Sequence, residues 1–489
     1  MTYLLRRSPR TLSLTLFVSC FAISVYAQTD LSGSNRSVLN QEQYRVSPAT
    51  GPLKQHPQNP RYFADAEGNP VYLVGSHTWS NFQDFSMEGD PPFDYDRYIA
   101  FMVEHHFNFM RFWSWEHAAW ATWTSEKPIV DPMPYVRVGN QPALDGKPKF
   151  DLTKFNQAYF DRMRARILKA REKGIYASIM LFQAFSGVWP KGGKSHLNNA
   201  FAGHYYNVEN NIQKLDGDKN NDKMLDIDDQ EVRKYQVAYI KKVIDTVWDL
   251  DNVLYEVINE GGNVNWDAFV IKTVKDHEKA KGQSHPIGIT GHGNETLQQM
   301  LASEADWISP GAWDDPSMKN VHTEPPTSDG RKVSVLDTDH MWGHGIDYRW
   351  VWKTFLRGHS VLFMDPWDPL PAWHTPEVNR PDHPNYILGR KAMKQTALWA
   401  GRINLATMQP DSSLSENSFC LADPGKEYLI YVDGSKIELD MTELPGEFSA
   451  EWIHLTSGMI APDKPATGGG KVMFRNPFTG EGILHLKMQ

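Results

Sequence analysis

Cysteine is nearly missing from this sequence: among 489 residues only Cys20 and Cys420 occur. Cys20 lies in a leader-like segment, so a processed chain keeps Cys420 alone. That excludes an intrachain disulfide framework and leaves almost no room for a cysteine metal site. An excess of positive charge is missing too. Lys and Arg number 50 against 59 Asp and Glu, a formal charge of −9 that becomes −12 once Arg6, Arg7 and Arg10 are removed. Acidity of this kind argues against nucleic acid or an anionic lipid surface as partner. Long apolar runs are also absent. Leu12–Val25 is too short, with its flanks, for a membrane span, and 40% hydrophobic with 22% charged residues is neither a collagenous nor a disordered composition.

What is present begins with an export signal. Arg6, Arg7 and Arg10 form a basic region, Leu12–Val25 an apolar one, and Val25-Tyr26-Ala27 a cleavage site, so residues 1–27 read as a signal peptide. The expected location is periplasmic, outer-surface or extracellular. A lipoprotein signal at Phe17-Val18-Ser19-Cys20 is disfavoured by Phe at its first position. The other abundance is tryptophan: there are 17, of which 16 precede residue 400.

Residues 28–56 are polar and read as a linker. From 57 to 403 strand-like and helix-like segments alternate. Val71–Val74, Phe107–Phe112, Ile175–Phe182, Val253–Ile258, Ile287–Thr290, Trp307–Ser309, Val333–Leu336 and Val361–Met364 are short, nearly continuous apolar runs, as expected of strands covered on both faces. Between most of them lie helical stripes such as Tyr159, Met163, Ile167 and Ala170. Eight such units predict an α/β fold, a (β/α)8 TIM barrel. Residues 404–489 change style. Tyr428–Val432, Phe448–Ile453, Lys471–Phe474 and Ile483–Lys487 are separated by Gly, Pro and Asp turns, which predicts a small all-β sandwich domain.

In such a barrel the chemistry sits just after the strands. Those positions carry His77 and Trp79, then Arg111, Trp113 and Trp115, then Gln183, Asn259 and Glu260, His292, Trp313, Asp337, Asp339, His340 and Trp342, and finally Asp365 and Trp367. Solvated loop tips would be rich in Lys, Ser and Glu; Trp, His and Asp dominate instead. Indole faces stack on the C–H faces of a sugar ring while carboxylates and amides satisfy its hydroxyls, so the expected partner is a carbohydrate. Any single Trp here is better explained by loop packing, but the set is not.

The stretch Leu254-Tyr255-Glu256-Val257-Ile258-Asn259-Glu260 resembles the strand-four Asn-Glu signature of retaining clan A glycoside hydrolases. Asn59–Asp65 followed by Val74–Trp79 resembles the start of apiosidase-like barrels, and Tyr428–Val432 with Asn476–Gly480 is similar to the C-terminal β-module of those proteins, labelled a collagen-binding domain. The resemblance spans most of the mature chain. It implies Glu260 as acid/base and, at the end of strand seven, a glutamate nucleophile. This chain departs there, reading Val335-Leu336-Asp337-Thr338-Asp339-His340. Asp337 is narrowly preferred over Asp339 as nucleophile, because it follows the strand directly. Glu256 is assigned a structural role. Double displacement is the expected reaction, with single-step inversion as runner-up, since aspartate is one methylene shorter and widens the carboxyl separation. The label on the C-terminal module does not establish collagen binding; buttressing the barrel is the alternative.

Asp218, Asn220, Asp222, Met224, Asp226 and Asp229 occupy positions 1, 3, 5, 7, 9 and 12 of an EF-hand-like loop, predicting a structural Ca²⁺, although Lys223 replaces the usual Gly and Asp229 the usual Glu. No cofactor is expected for catalysis. Two other readings stand beside the glycosidase. One is a non-catalytic carbohydrate- or matrix-binding protein that has lost its nucleophile. The other is a metal-dependent barrel hydrolase using His77, His292 and Asp365, ranked last because the first strand lacks a His-x-His pair.

Overall fold

The computed structural model of the chain describes residues 37–38 in backbone only, 47–121, 126–187, 199–219, 224–291, 296–311, 315–367, 381–414 and 419–489. Residues 1–27, read above as a signal peptide, lie outside the described residues, as do Asn220, Asp222, His292, Trp313, Trp123, Trp189 and Trp373. No helix among those described is long and apolar enough to cross a membrane.

Eight parallel strands close into a barrel in sequence order: β1 (Val74–His77), β2 (Phe109–Phe112), β3 (Tyr176–Gln183), β4 (Val253–Asn259), β5 (Ile287–Thr290), β6 (Trp307–Ser309), β7 (Val333–Asp337) and β8 (Ser360–Met364). Every residue of these strands is buried, as their nearly continuous apolar runs predict. Outside them lie α1 (Tyr95–Glu104), α2 (Gln157–Glu172), α3 (Gln230–Val247), α4 (Val264–Lys281), α5 (Leu297–Ala302), α6 (Tyr348–Leu356) and α7 (Pro384–Ala400). Side-chain oxygens of Asn156, Asp229 and Asn263 accept the first free N–H groups of α2, α3 and α4. After β6 the described residues form only a 3₁₀ turn, Pro316–Met318.

Two expectations need correction. The first barrel strand is Val74–His77 rather than Val71–Val74. Pro70–Val71 instead pairs with Phe63–Ala64, itself paired with Lys54–Gln55, in a small sheet. Gly75 does not stop the strand. A Cβ there would lie 1.7 Å from the Phe109 carbonyl oxygen, so glycine lets β1 and β2 approach. Nor are residues 47–56 a free linker: Ala49 and Leu53 are buried with Phe63, Leu73, Phe109, Leu254 and Trp307 in one apolar cluster.

The loops after β2 and β3 are long and fold on one another. They build a second core from Trp113, Trp115, Tyr135, Phe150, Phe201, Tyr205 and Tyr206, and carry a hairpin, Tyr135–Pro142 with Pro148–Phe155, that the hydrophobic pattern did not reveal. This core also contains Trp79, Met180 and Met364, so it is built directly onto barrel residues.

The C-terminal region is antiparallel. Met459–Pro462, Glu447–Ile453, Gly482–Met488, Glu427–Val432, Cys420–Asp423 and Gln409–Pro410 form one sheet in that order, and Lys436–Asp440 with Lys471–Arg475 a separate ribbon. Alternation divides the large sheet. Tyr428, Ile430, Trp452, Leu484 and Leu486 cluster with Leu439 and Phe474 of the ribbon, whereas Leu429, Tyr431, Ile453 and Ile483 join the cluster containing Trp352 of α6 and Trp399 of α7. Trp352 Nε1 donates to the Leu455 carbonyl at 2.8 Å, and Arg349 pairs with Glu481.

Replacing Gly75 by Ala should lower stability by about 1–3 kcal/mol, the cost of forcing a methyl into a packed backbone contact. Gly470→Ala, where a Cβ meets nothing within 4 Å, should stay within about 0.5 kcal/mol of the parent. Denaturant unfolding of both variants checks the contrast.

Candidate functional site

Arg111, at the end of β2, is buried at 1% exposure and spends all of its donors. Nε gives to Glu256 Oε2 at 2.7 Å and Nη2 to Glu256 Oε1; Nη2 also gives to Asn259 Oδ1 at 2.6 Å. Nη1 reaches Asp339 Oδ2 at 2.9 Å and Asp337 Oδ2 at 3.3 Å. A guanidinium has five N–H groups, so these five contacts use its whole fork. The surrounding carboxylates push its already high pKa further up, against the effect of burial.

The other members are locked by the same network. His77 Nε2 lies 3.0 Å from Asp337 Oδ1. The backbone N–H of Asp339 donates to that same oxygen at 3.0 Å. Burial pushes the Asp337 carboxyl up, but His77 and Arg111 outweigh it and hold it below the usual carboxylate range. For Glu256 the balance falls the other way: burial raises its pKa too, and Arg111 offsets only part of the rise. Asn259 Oδ1 also faces His340 Nε2 at 3.2 Å, while its Nδ2 donates to Gln183 Oε1 at 2.9 Å. Gln183 in turn is held by its backbone N–H, which donates to Glu116 Oε2 at 2.7 Å.

Glu260 follows β4 in a conformation of its own. Its φ is +50°, in the left-handed region, where a non-glycine residue costs roughly 1–3 kcal/mol and tends to mark a functional site. Gly261 and Gly262 permit the turn. A Cβ on Gly261 would sit 2.3 Å from that of Ala184, and Gly262 has φ +109° beside the Asp267 carboxylate. Asn263 then caps α4.

These ends surround a cavity of about 70 Å³ lined by Trp79, Trp113, Trp115, Gln183, Phe185, Asn259, Glu260 and Asp339. Trp113 stacks on the His77 ring at 5.1 Å and has the Arg111 guanidinium 5.0 Å from its own ring centre. Trp79 stacks on Trp113 at 5.9 Å and meets Trp115 edge-on at 5.6 Å. Trp113 Nε1 is buried with no hydrogen-bond partner among the described residues. A larger cavity of about 350 Å³, lined by Thr50, Asp65, Asn108, Lys173 and Tyr176, has no comparable set of indoles and carboxylates.

The sequence-derived candidates divide accordingly. Trp79, Trp113, Trp115, Gln183, Asn259, Glu260 and Asp339 line the cavity; His77, Arg111, Asp337 and His340 lie directly behind them. Asp337, the nucleophile its position favours, is fully buried with both oxygens occupied, and Asp339 is the carboxylate after β7 that reaches the cavity. Asp365 is not part of this network: it forms a two-pronged ion pair with Arg390 of α7. Trp367 packs on Phe93, Tyr98 and Phe101, and Trp342 against His322 and Trp350. Glu256, expected to be structural, is central to the charge network. Phe185 was missed, although an aromatic residue two places after Gln183 was the available signal.

His77, Asp337 and Asp339 offer ligand atoms within 4.8 Å of one another. The Arg111 fork already donates to both carboxylates, so the geometry favours a guanidinium there over a metal ion. In the EF-hand-like loop, the Met224 carbonyl accepts from Gln236 Nε2 at 2.9 Å, and Asp229 caps α3 while pairing with Lys219 at 2.9 Å. Two of the expected calcium ligands thus have other partners.

The family described as a domain of unknown function, DUF6298, matches residues 123–304, just over a third of the chain. No curated protein matches. Among solved structures, a glycoside hydrolase of family 5 from Bacteroides vulgatus ATCC 8482 superposes with TM-score 0.61 at 12% identity, covering 90% of this chain and 95% of that one. A second, described as a glycoside hydrolase, gives 0.58 at 11%, covering 90% and 97%. The chain therefore has the architecture of these barrels with their C-terminal sheets; at such identity the likeness is one of fold.

Removing Arg111 leaves Glu256 and Asp337 buried without their cation, so Arg111→Met should cost about 3–5 kcal/mol in stability. Asp337 adds a pH dependence. Its folded pKa lies below the unfolded value of roughly 3.9, so its stabilisation is complete above that value and fades as pH falls through the folded one. Denaturant titrations between pH 7 and 2 should show a flatter acid limb for Asp337→Asn than for the parent.

Proposed function

We propose that the protein is an exported glycoside hydrolase that cleaves O-glycosidic bonds of a poly- or oligosaccharide with two carboxylates, Glu260 and Asp339. The observation carrying this reading is that the two, delivered by β4 and β7, line one cavity together with three indoles. Glu260 donates its proton to the glycosidic oxygen as the bond to the anomeric carbon breaks. Asp339 adds to that carbon from the other side. Glu260 then takes a proton from water, whose oxygen displaces Asp339 and regenerates both groups. Trp79, Trp113 and Trp115 supply stacking faces, and Gln183 and Asn259 polar contacts for ring hydroxyls. Single-step inversion is the second reading, favoured only by the shorter aspartate; following the first anomer released by NMR separates the two.

The cavity's charge limits the sugar. Arg111 has no donor left, and the charged groups lining the cavity among the described residues are both carboxylates. A neutral sugar is therefore accepted, and an acidic one is repelled by the two carboxylates.

A glycan panel tests the reading. Glu260→Gln should lower turnover of unactivated glycosides by about 10²–10⁴-fold while largely preserving kcat/KM on a dinitrophenyl glycoside, whose leaving group needs no proton. Asp339→Asn should fail on both. Equal activity of Glu260→Gln on unactivated glycans would remove the proposal. Among matched aryl glycosides, the neutral one should exceed its uronic acid counterpart by at least roughly 100-fold in kcat/KM.

A further inference from the structure

We infer that Asp337 is a positioning residue, which holds Asp339 at the cavity and does not itself react; the inference rests on the glycoside hydrolase reading. Where a strand-seven carboxylate would directly meet the sugar, this chain has an Asp buried to 0% exposure. Its two oxygens face three donors: His77 Nε2 and the Asp339 N–H at Oδ1, and Arg111 Nη1 at Oδ2. The Asp339 contact is the informative one. Asp337 is the cap of the 3₁₀ turn Thr338–His340, and that turn carries Asp339 over the buried layer to the cavity. Arg111 Nη1 bridges the same two carboxylates from below, so Asp339 is held through its backbone by Asp337 and through its side chain by Arg111. His77 fixes Asp337 in turn, and the His77 ring is itself stacked on Trp113. The reacting carboxylate is thereby displaced two residues along the chain, and the residue at the strand end becomes its mount.

The arrangement separates the two aspartates chemically. With a dinitrophenyl glycoside, azide can replace a deleted nucleophile. It attacks the anomeric carbon, the bond to the phenolate oxygen breaks, and a glycosyl azide forms with no proton required. Asp339→Gly should be inactive without azide and regain at least tenfold in rate with it, yielding the azide product. Asp337→Gly should gain nothing from azide. Asp337→Asn keeps a carbonyl oxygen to accept the Asp339 N–H, so it should lower kcat less than Asp337→Gly does and leave KM nearly unchanged. Azide rescue of Asp337→Gly, or of neither variant, overturns the inference.

A second measurement does not depend on turnover and separates this inference from the function it rests on. Hydrogen exchange at the Asp339 amide should be slow in the parent and in Asp337→Asn, and at least tenfold faster in Asp337→Ala. Unchanged protection in Asp337→Ala overturns the positioning role even if the protein hydrolyses glycosides. Loss of protection upholds it even if no glycoside in the panel is cleaved.

Discussion

The guanidinium of Arg111 is the interaction on which the rest of the site depends. One cation, taken out of water at the end of β2, faces Glu256, Asp337 and Asp339 and the amide oxygen of Asn259. Each of those groups comes from β4 or from the end of β7, so the charge that balances the carboxylates also fixes the spacing between two strands that are not neighbours in the barrel. Burying such a cluster is costly unless its geometry is complete. Here it is complete: the fork has five donors and five contacts, and nothing in it can turn without leaving a charge unpaired.

That rigidity extends to the lining of the cavity. The carboxylates that point into it, Glu260 and Asp339, are not held the same way. Glu260 depends on a left-handed turn that two glycines make possible, and Asp339 on a capped 3₁₀ turn tied back to Arg111. Two unusual backbone segments, each anchored in the barrel, thus aim two acids at one space. Across that space the indoles of Trp79, Trp113 and Trp115 are immobilised by a second core built from the loops after β2 and β3. The aromatic wall is therefore part of the fold's packing, and on the proposed reading a sugar would stack on it with little further ordering.

Much of this was legible in the chain and some of it could not be. β5 and β6 end at Thr290 and Ser309, where their short apolar runs end, because strands covered on both faces are written mostly in apolar residues. β1 was misplaced by three residues because Gly75 looks like a stop, whereas it permits a close approach to Phe109 that only the partner strand reveals. The place of Glu260 at the cavity was legible from Asn259 and the glycines that follow. Which of Asp337 and Asp339 reaches the cavity was not, since both come at the end of the strand and the 3₁₀ turn that carries Asp339 there has no distinctive pattern. Trp342, Trp367 and Asp365 had the right residue types at the right strand ends, yet Trp350, Tyr98 and Arg390 claim them. Pairings over a hundred residues or more, such as Arg111 with Glu256, are not written in local spacing.

The central claim is that Asp339 attacks the anomeric carbon opposite Glu260. It is tested most directly by trapping the protein with a 2-deoxy-2-fluoro glycoside of a sugar it turns over and sequencing the labelled peptide by mass spectrometry. The account predicts a single glycosyl adduct, on Asp339. An adduct on Asp337, or inactivation-free turnover with inversion at the anomeric carbon, would contradict it.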